Sequence, residues 1–152
     1  MEISVSLPLD EGFLRRECPS CERQFKWFNG IADNKPEGAV AVEQYFCPYC
    51  GKLAATDAWW TREQLEYVQD IGQNAVTRRL RDELGDSMKA LEKTGFLSVS
   101  LKGGDASDPA PLIEPQDMVI VEPPCHDYVP VKIAEGWTEP IHCIVCGREY
   151  VI

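Results

Sequence analysis

The residues with the clearest chemistry in this sequence are its seven cysteines. Six of them stand in pairs separated by two residues, in the segments "CPSC" at 18–21, "CPYC" at 47–50 and "CIVC" at 143–146. Two thiolates at this spacing point inward from one tight turn, so each pair supplies half of a tetrahedral metal site. The first two pairs therefore predict one four-sulfur zinc site, made by Cys18, Cys21, Cys47 and Cys50.

The third pair, at 143–146, has only one further cysteine as a partner, Cys125. The fourth ligand must therefore be something else, and His126, His142, Asp127 and a water molecule are the alternatives. Neighbouring side chains in an extended strand face opposite ways, so His126 can join Cys125 at one metal only across a turn. Use of His142 would require a bend at the entry to the cysteine turn. We expect a closed structural set of Cys125, His126, Cys143 and Cys146.

Further features of these segments are typical of zinc knuckles. A proline follows the first cysteine of the first two pairs and presets the turn, and Gly51 permits the positive φ that often follows the second cysteine. With these motifs, residues 13–55 resemble the zinc-ribbon family in its rubredoxin-like knuckle form, and residues 125–152 resemble a second, smaller ribbon. The resemblance implies two zinc ions in two tandem ribbons, although rubredoxin-type iron would also fit four sulfurs.

Short strands must position these ligands. The segment between the first two cysteine pairs suits a β-hairpin with a long tip at 29–39. Residues 3–7 and 97–101 alternate apolar residues with serine, which predicts half-buried strands. Residues 117–123 are apolar on both faces, which predicts a third strand at the centre of a short sheet.

A helix is predicted between the two ribbons. Thr61 and Gln64 form a capping box, and apolar residues recur every three or four positions from Leu65 to Leu91. The sequence therefore predicts an α+β fold in which two small zinc ribbons bracket a long amphipathic helix and a short β-sheet. The predicted segments are 1–60 for the N-terminal ribbon with its leading strand, 61–95 for the helix, 96–124 for a strand–loop–strand, and 125–152 for the C-terminal ribbon.

Composition limits the environment and the partners. The formal net charge is −10, so broad attraction to nucleic acid is not expected. The apolar run at 118–121 is far too short to span a membrane, and the N-terminus lacks the pattern of a secretory signal. We therefore expect a cytoplasmic protein, and in that reducing compartment closely spaced cysteines indicate metal binding and not disulfides.

These features favour a non-catalytic adaptor or regulatory subunit that acts through another protein, and not an enzyme. An alternative is nucleic-acid binding by residues 15–28, where arginine and lysine side chains surround aromatic ones. Acidic residues interspersed in that segment favour internal ion pairs instead. A zinc-dependent hydrolase is less favoured, since no metallohydrolase motif is present. The mainly acidic stretch at 96–124 is a solvated face or a docking surface for a basic partner.

Overall fold

The computed structural model describes residues 5–39, 41–92 and 108–152, apart from the side chains of residues 88–92. Within these ranges the chain forms one α-helix and eight β-strands in small antiparallel sheets. The predicted mixed α and β class is therefore confirmed, with strands as the more numerous elements.

The chain divides into two compact units. One comprises Met1–Ser6 and Glu63–Pro111, and the other comprises Leu7–Arg62 and Leu112–Ile152. We call the second the cysteine unit, because it holds all seven cysteines. Both segments that were expected to form separate ribbons lie in this one unit.

The helix, α1, spans Arg62–Glu92 and begins directly after Thr61, the residue predicted to cap it. It continues through Gly85 without a break. No helix in the described ranges is both long and apolar enough to cross a membrane. The predicted strand at 97–101 lies outside the described residues.

The strands of the cysteine unit pair into four antiparallel hairpins, each of which carries predicted metal ligands in its loop. In each hairpin the two strands are neighbours in sequence, which is the commonest way for antiparallel strands to pair. The pairs are β1 (Phe13–Glu17) with β2 (Gln24–Phe28), β3 (Gln44–Phe46) with β4 (Leu53–Ala55), β5 (Met118–Val121) with β6 (Val131–Ala134), and β7 (Ile141–His142) with β8 (Glu149–Tyr150).

Pairing between β2 and β6 joins the first and third hairpins into one sheet of order β1-β2-β6-β5. In this ladder Lys26 lies opposite Lys132, and Trp27 lies opposite Val131. The two halves of the chain therefore share a sheet, although a separate short sheet between two ribbons was expected.

Three strand predictions differ from the structure. β5 lies at the edge of the sheet and not at its centre, because its apolar run pairs on one side only, with β6. Residues 5–7 of the predicted strand 3–7 are not in a strand, and the rest of it lies outside the described residues. The hairpin expected between the first two cysteine pairs does not form, since β2 pairs with β1 and β6 and β3 pairs with β4.

One face of the four-stranded sheet packs into an aromatic core. Phe25 of β2 is fully buried, with its ring centroid 5.7 Å from that of Trp59 and 6.4 Å from that of Tyr49. The Tyr49 hydroxyl donates to the carbonyl of Gln24 at 2.7 Å and accepts from the N–H of Ala134 at 3.0 Å. Tyr49 thus bridges β2 and β6, and the core combines residues from both halves of the chain.

The opposite face of the sheet carries a buried ion cluster, because successive side chains of a strand alternate between faces. The Lys26 Nζ lies 2.8 Å from Asp10 Oδ2 and 3.0 Å from Glu114 Oε1. The Lys132 Nζ contacts the same Asp10 oxygen at 2.9 Å, and Arg15 Nε donates to Glu114 at 2.8 Å. The Lys26 and Asp10 side chains are 0% exposed. The cluster fastens the segments that contain Asp10 and Glu114 to the sheet.

The cluster keeps Lys26 charged despite its burial. Burial lowers the pKa of Lys26, but hydrogen bonds to Asp10, Glu114 and Asp117 outweigh this effect and raise the pKa above its ordinary value of 10.5. A group with a raised folded-state pKa stabilises the fold fully below its unfolded pKa, and this stabilisation is lost as the pH rises through the folded pKa. The contribution of Lys26 should therefore disappear only in strongly alkaline solution.

Replacing Lys26 by methionine should destabilise the cysteine unit by about 3 kcal/mol near neutral pH, because it leaves buried carboxylates short of a partner. The difference in unfolding free energy from wild type should stay constant between about pH 7 and pH 10 and shrink at higher pH. Denaturant titrations of both proteins measure it, with the exposed Lys52→Met as the control. If the difference in unfolding free energy did not shrink above about pH 10, an ionised Lys26 in the cluster would be contradicted.

Candidate metal centres

The first centre lies between the loops of the first two hairpins. The Sγ atoms of Cys18 and Cys50 are 3.7 Å apart, and those of Cys21 and Cys47 are 3.8 Å apart. All four sulfurs lie within 4.8 Å of one another. A regular tetrahedron with Zn–S bonds of about 2.3 Å places its sulfurs about 3.8 Å apart. The four cysteines therefore fit a tetrahedral metal ion.

Three of the cysteine loops share one backbone pattern. The carbonyl of the first cysteine accepts a hydrogen bond from the N–H four residues later, and its own N–H donates to the carbonyl five residues later. These N···O distances are 2.9 and 3.0 Å at Cys18, 2.9 Å for both bonds at Cys47, and 2.8 and 2.9 Å at Cys143. The fourth residue after that cysteine has a positive φ of 61°, 72° and 74° at Glu22, Gly51 and Gly147.

Backbone N–H groups also point at the sulfurs. Those of Ser20 and Cys21 donate to Cys18 Sγ at 3.3 and 3.4 Å. Although burial raises the pKa of the Cys18 thiol, these two bonds and the neighbouring thiols bring the pKa below its ordinary value. At Cys47 burial dominates and raises the pKa. A bound cation would supply the attraction that ionises all four thiols, which metal binding requires.

The second centre lies between the loops of the third and fourth hairpins. Cys125 Sγ is 3.4 Å from Cys146 Sγ, and His126 Nδ1 is 3.5 Å from Cys143 Sγ. These four donor atoms also lie within 4.8 Å of one another. Bonds of about 2.0 Å from zinc to nitrogen and about 2.3 Å to sulfur place the nitrogen about 3.5 Å from each sulfur. The structure thus brings together the three cysteines and the histidine that the sequence analysis selected.

A turn lets two adjacent residues reach the second centre. The N–H of His126 donates to the carbonyl of Pro123 at 3.2 Å, and the N–H of Val129 donates to the carbonyl of His126 at 3.0 Å. The loop between β5 and β6 therefore bends at Cys125. The imidazole, which is longer than a cysteine side chain, contacts Cys143 as Cys21 contacts Cys47 in the first centre.

His142, the competing candidate, contacts the other centre's loop. Its backbone N–H donates to the carbonyl of Pro48 at 2.8 Å, and its Nδ1 lies 3.3 Å from the same oxygen. Its ring packs on Gly51, where an added Cβ would lie 3.0 Å from ring atoms. The ring is thus used in packing, and His142 lies outside the group of four donors.

The same contact occurs in the reverse direction. Phe46 precedes the cysteine pair of its own loop as His142 does, and its N–H donates to the carbonyl of Ile144 at 2.9 Å. Its ring lies against Gly147, where a Cβ would be 2.9 Å from ring atoms. We call this two-fold arrangement the knuckle contact. The sequence analysis missed it, although the matching positions of Phe46 and His142 before similar loops were the available signal.

The two centres differ in their access to solvent. In the first, Cys18 and Cys47 are buried and the other two cysteines are half-buried. In the second, only Cys143 is buried, and burial raises its pKa to about 12. Cys146 is exposed. A metal ion at the second centre should therefore exchange with a chelator more readily.

The basic and aromatic side chains of residues 15–28 are used within the fold. The guanidinium of Arg16 lies 5.0 Å from the ring of Trp27 and 5.1 Å from that of Trp60, and burial lowers its pKa to about 10. Lys26 belongs to the buried ion cluster. These contacts account for the pattern that could have indicated a nucleic-acid surface.

Comparisons with known protein families, with characterised proteins and with solved structures found no match.

Histidine substitutions should separate the ligand from the packing residue. His126→Ala should release the metal of the second centre, whereas His142→Phe should retain both metals because Phe46 already fills the matching position. His142→Ala should also retain them but lose about 1–2 kcal/mol of stability, because it leaves a void against Gly51. Zinc content and chelator-release rates measure these effects. Loss of zinc from His142→Phe, with zinc retained in His126→Ala, would reverse the assignment.

The knuckle contact should tolerate no side chain at its glycines. Gly51→Ala and Gly147→Ala each combine a positive φ with a Cβ pressed against a ring, and each should cost about 2–3 kcal/mol. Gly38→Ala is the matched control, since its φ is 78° but nothing lies within 4 Å of the added Cβ. It should cost about 1 kcal/mol. Equal losses in all three variants, measured by denaturation with zinc present, would show that ring packing contributes nothing.

Proposed function

We propose that this chain binds two structural zinc ions in two rubredoxin-like ribbons and acts as a non-catalytic adaptor or regulatory subunit. The observation that supports this most is that each centre presents four protein donors at tetrahedral distances. Structural zinc is normally bound by four protein ligands, whereas catalytic zinc keeps one position for water or substrate. With His126 as the fourth ligand, the second centre has no such position.

Zinc is the metal that best fits both donor sets. Three sulfurs with one imidazole nitrogen are a common structural zinc composition, and four sulfurs are another. Iron would suit only the four-sulfur set of the rubredoxin type. The nitrogen of His126 therefore favours zinc at the second centre, and the similar loops favour the same ion at the first.

A structural use of the metals follows from the size of the elements. The strands of the cysteine unit are two to five residues long. Isolated hairpins of this length are marginally stable in water. A zinc ion that joins the loops of two hairpins adds its binding free energy to folding. When bound, the metals would act as cross-links, and function would be left to the protein surface.

Surface features support a protein partner over the alternatives. Several large apolar side chains of the cysteine unit remain exposed, among them the neighbouring Val119 and Ile120 of edge strand β5, and an exposed apolar edge strand can pair with another protein chain. The nucleic-acid alternative loses support because Arg16 and Lys26 are buried in internal contacts. A hydrolase would need an open position on a metal. The exposed side chains are Leu9, Ile31, Leu53, Ile113, Val119, Ile120, Val151 and Ile152.

The metal part of the proposal predicts about two zinc ions per purified chain and a coordination shell of sulfur and nitrogen alone. Cobalt substitution should give the visible spectra of two tetrahedral thiolate sites. Cys47→Ser should lose the first ion and, because the core is shared between the halves, destabilise the whole cysteine unit. One zinc or less, or a water oxygen in the X-ray absorption shell, would contradict closed structural sites.

The adaptor part is tested by crosslinking in the native host, followed by reconstitution from purified components. A partner that forms a stoichiometric complex with wild type at physiological salt, and not with Cys47→Ser, supports the adaptor. Salt-dependent nucleic-acid binding of submicromolar affinity would support the alternative, and metal-dependent hydrolysis of a test ester would support an enzyme. Either result without a protein complex would overturn the proposal.

A further inference from the structure

The outer edge of β5 has unpaired backbone groups. β5 pairs with β6 from Met118 opposite Ala134 to Val121 opposite Val131. In the part of the chain that the structure describes, residues 118–121 form no other backbone hydrogen bond. Alternate N–H and C=O groups of an edge strand point outward and can pair with a further strand. The open side of β5 is therefore a template for one more strand.

This edge also lacks the features that usually protect an edge strand. Lysines, prolines and bulges discourage pairing at exposed edges, and the run from Met118 to Val121 contains none of the first two. Val119 is 43% exposed and Ile120 is 53% exposed, on opposite faces of the sheet. Pro115 and Pro123 limit the open length, so an added strand would pair over about four to six residues.

An open cavity of about 400 Å³ adjoins β5 on the face to which Ile120 points. Aromatic, aliphatic and acidic residues line it. Within the described ranges these carboxylates are exposed and form no ion pair. The apolar residues are Phe13, Phe28, Ala32, Ile120 and Pro130, and the acidic ones are Asp33, Glu122 and Asp127.

Charge distinguishes between the occupants of this edge. A second copy of the chain would bring the same carboxylates face to face, in a protein whose formal net charge is already −10. Like charges placed against each other at an interface cost affinity, whereas a partner of opposite charge is attracted and oriented. The surroundings of β5 therefore select a basic partner over self-association.

We propose that the outer edge of β5 binds an extended segment of a basic partner protein as an added strand. This inference rests on the proposed adaptor function and supplies its docking surface. Because side chains of a strand alternate, those beside Val119 meet that exposed apolar side chain and those beside Ile120 enter the acidic cavity. The segment recognised is thus one in which apolar and basic residues alternate.

The direct test uses a fluorescent peptide of about seven alternating valine and arginine residues. Two control peptides isolate the two contributions to binding. In one, glutamate replaces every arginine, which reverses the charge. In the other, proline replaces every valine, which keeps the charge but removes backbone donors. Anisotropy titrations with the zinc-loaded full chain should show the first peptide binding at least about tenfold more tightly than either control.

Substitutions in the chain test whether the peptide binds at β5. Ile120→Lys should weaken the peptide at least about tenfold, while Val151→Lys, also at an exposed apolar residue, should not. Asp33→Asn combined with Glu122→Gln should weaken peptide binding about threefold to tenfold, and this loss should be smaller at high salt. Glu149→Gln should leave the peptide affinity unchanged. Unaltered zinc content verifies that each variant is folded. Amides of residues 118–121 should become protected from exchange when the peptide binds.

Several results would overturn the inference. Equal binding of the basic and the proline-containing peptides would show that charge alone is responsible. Peptide binding that Ile120→Lys leaves unchanged would show that another surface binds the peptide. A dimer that Ile120→Lys dissociates would replace the basic partner with a second copy. A crosslinked partner from the native host that Ile120→Lys retains would remove β5 as its site while leaving the adaptor function intact. Peptide binding at β5 without any stoichiometric partner would instead count against the adaptor function.

Discussion

The cysteine unit depends on the convergence of metal ligands from the loops of different hairpins. Each hairpin is too short to be stable alone, and each centre takes its donors from two of them. The β2–β6 ladder and the knuckle contact then link the two centres to each other. Removing any one of these links would leave elements with little buried surface of their own. The unit is therefore built from short elements, each of which is held in place by contacts with the others.

The two faces of the four-stranded sheet are stabilised by different interactions. One face excludes water with rings such as Phe25 and Trp59, which is how most small cores gain stability. The other buries charges, which is costly unless every charge has partners in good geometry. Lys26 and Lys132 meet this condition by sharing Asp10 Oδ2, whereas the other carboxylate oxygen of Asp10, Oδ1, is buried without a hydrogen-bond partner. Through these contacts the cluster links the segments that contain Asp10 and Glu114 to strands β2 and β6.

Local features were predictable from the sequence, and distant pairings were not. The cysteine loops are defined by hydrogen bonds that span six residues, so their spacing alone indicated them. The capping pattern of Thr61 and Gln64 likewise predicted the start of α1. By contrast, Asp10 and Lys132 are 122 positions apart, and no local property of either residue indicates that they meet. For β5, hydrophobicity on both faces indicated a central strand, but composition does not reveal which strands will be its neighbours.

The knuckle contact has a further consequence for how the two halves relate. The N–H of Phe46, which precedes one cysteine pair, donates to the carbonyl of Ile144, which follows the first cysteine of the other pair. The N–H of His142 donates to the carbonyl of Pro48 in the same way. A contact in which two equivalent surfaces each use the same groups is isologous, the kind that normally joins identical subunits about a two-fold axis. Here it is closed inside one chain, so its two copies need not stay identical. Phe46 and His142 fill equivalent places with different rings, and the second centre has a histidine where the first has a cysteine, within the same arrangement.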